Sequence, residues 1–160
     1  MPTLALLPFL AIATAAVQGP DEAPTASLKF AKATAAPGEK VKATLTVTFA
    51  PGLHGYQNPP AQDYQIPVVV KVVEKGFTLV KASYPPGIDF TMAGETTPSK
   101  VYEGTISIPL EIKASSKAGT YNVNVQLDYQ QCNDSSCFPP GNVKTKAKLV
   151  VAAAKKGKQG

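Results

Sequence analysis

The chain of 160 residues has a net charge of +5, and each of its 16 basic residues is a lysine. That length suits one domain. Nucleic-acid and phosphate recognition rely on arginine forks and a concentrated basic face, so lysines scattered over the sequence argue against both.

In chain order, residues 1–16 read as a secretory signal. Leu4 to Ile12 supply an apolar core, and Ala13-Thr14-Ala15 offers a small-x-small cleavage site. Residues 17–26 are rich in Pro, Ala and acidic side chains and read as a flexible lead-in. From Ser27 the period is two. In Val41 to Phe49 the odd positions are apolar and the even ones are Lys or Thr, as in a strand with one face on a core.

A first strand is expected around Leu28 to Ala33. Ile66 to Val73 is a nearly continuous apolar run and reads as a central strand, with Pro67 near its start. Phe77 to Tyr84 follows. Val101 to Ile112 puts Ile106, Ile108, Leu110 and Ile112 on one face, and Pro109 suggests an edge or a bulge. Tyr121, Val123, Val125, Leu127 and Tyr129 face inward, and Val143 to Val151 alternates against Lys144, Lys146 and Lys148. About seven short alternating strands without a helix imply an all-β fold, an antiparallel sandwich of immunoglobulin-like type.

The domain is expected over 27–152, followed by a basic flexible tail over 153–160 that includes Lys155-Lys156-Gly157-Lys158. No later stretch approaches the roughly 20 apolar residues of a membrane span, so none is expected in the mature chain. Two connections exceed what a hairpin needs, and long connections are commonly functional. One runs from Ala50 to Gln65 with His54, Tyr56 and Tyr64. The other runs from Pro85 to Lys100 with Phe90 and Met92.

Both cysteines lie in Tyr129-Gln130-Gln131-Cys132-Asn133-Asp134-Ser135-Ser136-Cys137-Phe138-Pro139-Pro140. A bond between them closes so small a loop that its entropic stabilisation is only roughly 2 kcal/mol, against nearly 5 for a loop of about a hundred residues. An exported chain meets an oxidising compartment where such a bond persists. The pair sits at a hairpin mouth, open to a partner's thiolate. Asp134 opposes ionisation, and no Lys, His or helix N-terminus adjoins the pair in sequence, so the partner is expected to supply the activated nucleophile.

A redox pair and a structural clip remain equally open on the residues alone. Metal binding is a minor third, because Cys132, Cys137 and His54 lack a fourth ligand, and a lone loop histidine is ordinarily solvated. No metal or other cofactor is expected. One histidine and no G-x-S-x-G give no hydrolase triad, and no phosphate-binding or dinucleotide fingerprint is present.

The cysteine stretch resembles the N-terminal domain of the thiol:disulfide interchange protein DsbD, whose pattern is Tyr-Gln, Cys, a short Asp-containing loop, Cys and Pro-Pro. Upstream, Gly52-Leu53-His54-Gly55-Tyr56, Tyr84-Pro85-Pro86-Gly87 and Val101-Tyr102-Glu103-Gly104 stand in the family's order. The resemblance implies a periplasmic immunoglobulin-like domain, a component of protein-disulfide reductase type. It would relay electrons from the thioredoxin-like domain of a membrane thiol reductase to periplasmic disulfide isomerases or cytochrome-maturation thioredoxins.

By the same analogy Cys137 forms the mixed disulfide and Cys132 resolves it. The family's cap loop corresponds to Ile88 to Pro98, making Phe90 or Met92 the shield, with Tyr56 as a further cap residue. The Phe-Tyr-Gly cap tip of the best-known members is missing here. The competing function is a non-redox sandwich that binds a partner and keeps a structural hairpin disulfide.

Overall fold

The structure is a computed structural model that describes residues 22–153. The expected signal, half of the lead-in and the lysine tail lie outside the described residues. Among the described residues the fold is all-β, and no helix is long and apolar enough to cross a membrane.

Among these residues twelve strands run in the order β1 (Thr25–Phe30), β2 (Thr34–Ala35), β3 (Lys40–Thr48), β4 (His54–Tyr56), β5 (Val69–Val72) and β6 (Thr78–Ala82). There follow β7 (Ile88–Phe90), β8 (Ser99–Glu103), β9 (Thr105–Lys113), β10 (Gly119–Tyr129), β11 (Gln131–Cys132) and β12 (Gly141–Val151). They form three four-stranded sheets, ordered β1-β3-β9-β6, β2-β12-β10-β5 and β11-β4-β8-β7. The first two make the immunoglobulin-like sandwich. The third is built largely from the two long connections and the cysteine stretch.

Alternation drives the sandwich. In β3, Val41, Ala43, Leu45 and Val47 are buried while Lys40, Lys42 and Thr44 are exposed. Their partners on β9 are Ile112, Leu110, Ile108 and Ile106, so apolar residues meet across the ladder. From the second sheet, Val123, Val125 and Leu127 of β10, with Leu149 and Val151 of β12, close the same core. The three lysines of β12 fall opposite Asn122, Asn124 and Gln126, on the solvent side.

Three expectations change. Pairing begins at Thr25, inside the stretch read as lead-in. The Ile66–Val73 run is an edge strand, not a central one: β5 pairs only with β10, leaving Val73 exposed, and Lys71 forms an ion pair with Asp128. Continuous apolarity there reflects burial of Val68 and Val70 on one side and partial cover of Val69 on the other. Pro109 lies in a strand flanked on both sides. Its carbonyl accepts from the Ser83 amide at 2.8 Å, just past the end of β6, and the bulge is in β6 itself, between Leu79 and Lys81.

The Val101–Ile112 segment is two strands because the chain changes sheets at Gly104. This residue has φ of 59°, and its carbonyl accepts from the Phe49 amide at 2.9 Å. That left-handed conformation favours glycine, although a Cβ there would meet open space. Gly104→Ala is therefore expected to cost about 1–2 kcal/mol in urea unfolding through backbone strain alone. Gly104→Asn is expected to recover part of the loss, because asparagine tolerates this region. Equal stability of Gly104→Ala and the unchanged chain would contradict the account.

Candidate functional site

The third sheet sets the site. In β4, β8, β7 and β11 alternate side chains fall on opposite faces. One row of register partners is Cys132, His54 and Glu103; the next is Tyr56, Val101 and Ile88. These residues share one face. The other face carries Gln131, Gly55 and Tyr102 and packs on the sandwich, where a Cβ on Gly55 would lie 2.8 Å from the Phe49 ring. Buried Tyr102 locks the connection by donating its hydroxyl to the Pro85 carbonyl at 2.8 Å. Gly87 sits so close to β8 that a Cβ would come within 2.7 Å of the Val101 carbonyl oxygen, which holds the base of the cap segment down.

Cys132 and Cys137 are joined by a disulfide across a narrow bridge. The turn between them is organised by Asn133. Its Oδ1 accepts from the Ser135 and Ser136 amides at 3.0 and 2.8 Å, and its own amide donates to the Ser136 carbonyl at 2.9 Å. The Phe138 amide returns a bond to the Gln131 carbonyl at 2.9 Å. The two sulfur-bearing residues differ sharply in environment. Cys132 is fully buried at 0% exposure, whereas Cys137 is exposed. The Tyr56 hydroxyl lies 3.5 Å from Cys137 Sγ.

Cys132, Tyr56 and Val101 form a small apolar cluster, and half-buried Phe90 and Met92 pack against it. The cap segment that carries these two residues is tied to the turn between the cysteines, because the Ala93 amide donates to the Asp134 carbonyl at 2.9 Å. The structure thus brings together Cys132, Cys137, Tyr56, Phe90 and Met92. Tyr64 of the first long connection is 69% exposed.

Sequence reasoning missed His54. The residue read as a solvated loop histidine is 1% exposed, on a strand, and the cross-strand partner of Cys132. No histidine adjoins the pair along the chain, but sheet pairing sets His54 opposite Cys132, a neighbour that sequence separation hid. The Phe90 ring covers the His54 ring at 4.2 Å between centroids. Nε2 of His54 is buried without a hydrogen-bond partner. Burial holds the His54 ring below the usual imidazole range, opposed by the Glu103 and Asp134 carboxylates. The ring is neutral at pH 7, so it supplies no cation to activate a thiol. Alternation of His54 and Tyr56 about the small Gly55, just after a turn, was the signal available in the sequence.

Among the described residues no group of three or more His, Cys, Asp or Glu is placed to hold a metal ion.

The sequence model of the family described as “Thiol:disulfide interchange protein DsbD, N-terminal” matches residues 23–149. Among solved structures, the N-terminal periplasmic domain of ScsB from Proteus mirabilis is similar, with a TM-score of 0.52 and 20% identity. The match covers 80% of this chain and 44% of that one, so this chain spans less than half of that structure, and the likeness is one of fold. BslA, a bacterial hydrophobin, aligns with a TM-score of 0.45 and 13% identity, over 85% of this chain and all of that one. No curated protein matches.

His54 is the only histidine of the chain, so its ring resonances are unambiguous. Their midpoint is expected below about pH 6.5, the ordinary value. Below that pH the unfolded chain binds a proton that the folded one refuses. The contribution to stability is therefore complete above about pH 6.5 and is lost as pH falls through it. Acidification from neutral pH should lower the urea midpoint more in the unchanged protein than in His54→Gln. A ring midpoint at or above the ordinary value would contradict burial of a neutral ring.

Proposed function

The chain belongs to the family of the N-terminal domain of the thiol:disulfide interchange protein DsbD, and from that premise we propose that it relays reducing equivalents through Cys132 and Cys137. The observation that carries the proposal is the asymmetry of the bonded pair: Cys137 is exposed at the hairpin tip and Cys132 is buried beneath Phe90 and Met92.

Disulfide exchange needs a thiolate to approach one sulfur in line with the bond it breaks. The exposure difference favours Cys137 as the sulfur attacked. A partner thiolate bonds to Cys137, the Cys132–Cys137 bond breaks, and Cys132 leaves as the thiolate. A second partner thiol then releases Cys137, which leaves this domain reduced and the partner oxidised. In the onward step Cys137 attacks a target disulfide, and Cys132 displaces the target from the mixed disulfide. The catalytic pair is thus Cys137, which engages partners, and Cys132, which resolves. Phe90, Met92 and Tyr56 form the cover. They act mainly on Cys132, keeping the resolving sulfur from other thiols and oxidants while the tip stays reachable.

On this reading the donor is the thioredoxin-like domain of a membrane thiol reductase. The acceptors are periplasmic disulfide isomerases or cytochrome-maturation thioredoxins, and the protein works after export. Family membership and the hairpin geometry support the chemistry; the partners follow from the family's role.

Mixing the oxidised protein with a reduced thioredoxin-like domain is the direct test, with exchange expected within minutes. No exchange on that timescale would sink the relay. Cys132→Ser should accumulate a mixed disulfide through Cys137. If instead only Cys137→Ser accumulates one, through Cys132, the two roles are reversed.

A further inference from the structure

We propose that His54 is the proton acceptor for the Cys132 thiol when Cys132 resolves a mixed disulfide held on Cys137. The inference rests on the relay reading and adds a residue to its chemistry. Cys132 is fully buried, and a buried thiol in apolar surroundings ionises reluctantly. To act as a nucleophile it must lose its proton inside the cluster, out of reach of bulk water.

The groups that face His54 are few. Cys132 lies directly opposite on β11, a placement that brings Cβ atoms to about 4.5–5.5 Å. Glu103 is opposite on β8 and exposed. Asp134 acts on the ring from the turn between the cysteines, Phe90 covers it from β7, and Tyr56 shares its own strand and face. The Glu103 and Asp134 carboxylates favour the charged form of the ring, and so favour its taking up a proton. Tyr56 holds its phenol proton more tightly than usual because it is buried. The imidazole is the base that strand pairing sets opposite Cys132.

A structural role explains His54 poorly. A buried, unpartnered ring nitrogen costs stability, on the order of 1–3 kcal/mol, that an apolar side chain of similar size would avoid. A proton acceptor needs a ring nitrogen that no other hydrogen bond occupies. The step balances. Cys132 Sγ–H gives its proton to the ring, and the Cys132 thiolate attacks Cys137 Sγ. The Cys132–Cys137 bond forms as the partner's sulfur leaves with the bonding pair, and the imidazolium passes its proton to the departing thiolate or to water. In the reverse direction, the ring takes the proton of the incoming partner thiol or one from water, and passes it to Cys132 as it leaves.

The test uses reduced protein and dithionitrobenzoate, an aromatic disulfide whose coloured thiolate leaves without needing a proton. The first colour burst reports attack by exposed Cys137, and the second reports Cys132 expelling the remaining aromatic thiol. In His54→Gln and His54→Asn the first burst should be unchanged, which shows that the site is intact. The second should be at least about tenfold slower near pH 7. The deficit should shrink as pH rises past the thiol's own pKa, ordinarily about 8.5 and raised by burial. A second burst of unchanged rate, or one slowed by the same factor at every pH, would overturn the proposal. Both bursts with the expected pH dependence, but no exchange with a thioredoxin-like domain, would overturn the relay and leave the proton transfer standing.

Discussion

Strand alternation in the third sheet is the constraint on which the rest of the site depends. A strand sends neighbouring side chains to opposite faces, so a three-residue strand both anchors and presents. In β4, Gly55 faces the sandwich and His54 and Tyr56 face the disulfide; in β8, Tyr102 is anchored while Val101 and Glu103 look outward. Close packing of Gly55 on Phe49 and the Tyr102–Pro85 hydrogen bond fix the sheet on the end of the sandwich. Slipping the register by one residue would turn the cysteine row inward and bring Gln131 out. The sandwich therefore serves as the floor on which this sheet is held.

The long strands were legible because their pattern is long enough to read. Val41 to Phe49, Ile106 to Ile112 and Tyr121 to Tyr129 each give several turns of the period, and all three are strands with the expected faces. β4, β7 and β11 have two or three residues each, too few for any periodicity, and they fell inside stretches read as loops. Their structure comes from neighbours rather than from local preference. The same limit hid His54. Its environment is fixed by pairing with a residue far along the chain, and single-residue statistics favour solvent for a lone loop histidine. The cysteine hairpin was legible because its motif is local and its turn chemistry, Asn133 followed by two serines, is written in consecutive residues. The apolar run at β5 misled because an edge strand can bury one face and half-cover the other.

Apart from the family resemblance, nothing in the residues told the two cysteines apart; the structure gives them different surroundings. The tip sulfur belongs to Cys137, beside the Tyr56 hydroxyl and exposed; the other sits beneath aromatic and thioether side chains with a neutral imidazole opposite. That division allocates roles without invoking a strongly acidic thiol. An attacked disulfide needs access on one sulfur, and burial of the other decides which one a partner thiolate can approach. The hydrogen bond from Ala93 to Asp134 links the segment bearing Phe90 and Met92 to the turn that holds the disulfide.

On the proposed function, this small-loop disulfide is made and broken in use. The most direct measurement is its reduction potential, by equilibration with a thioredoxin-like couple of known poise. A carrier between such partners should titrate above about −300 mV, near the values of thioredoxin-like proteins. A potential well below about −300 mV, the range of structural disulfides, would make Cys132 and Cys137 a clip and contradict the account.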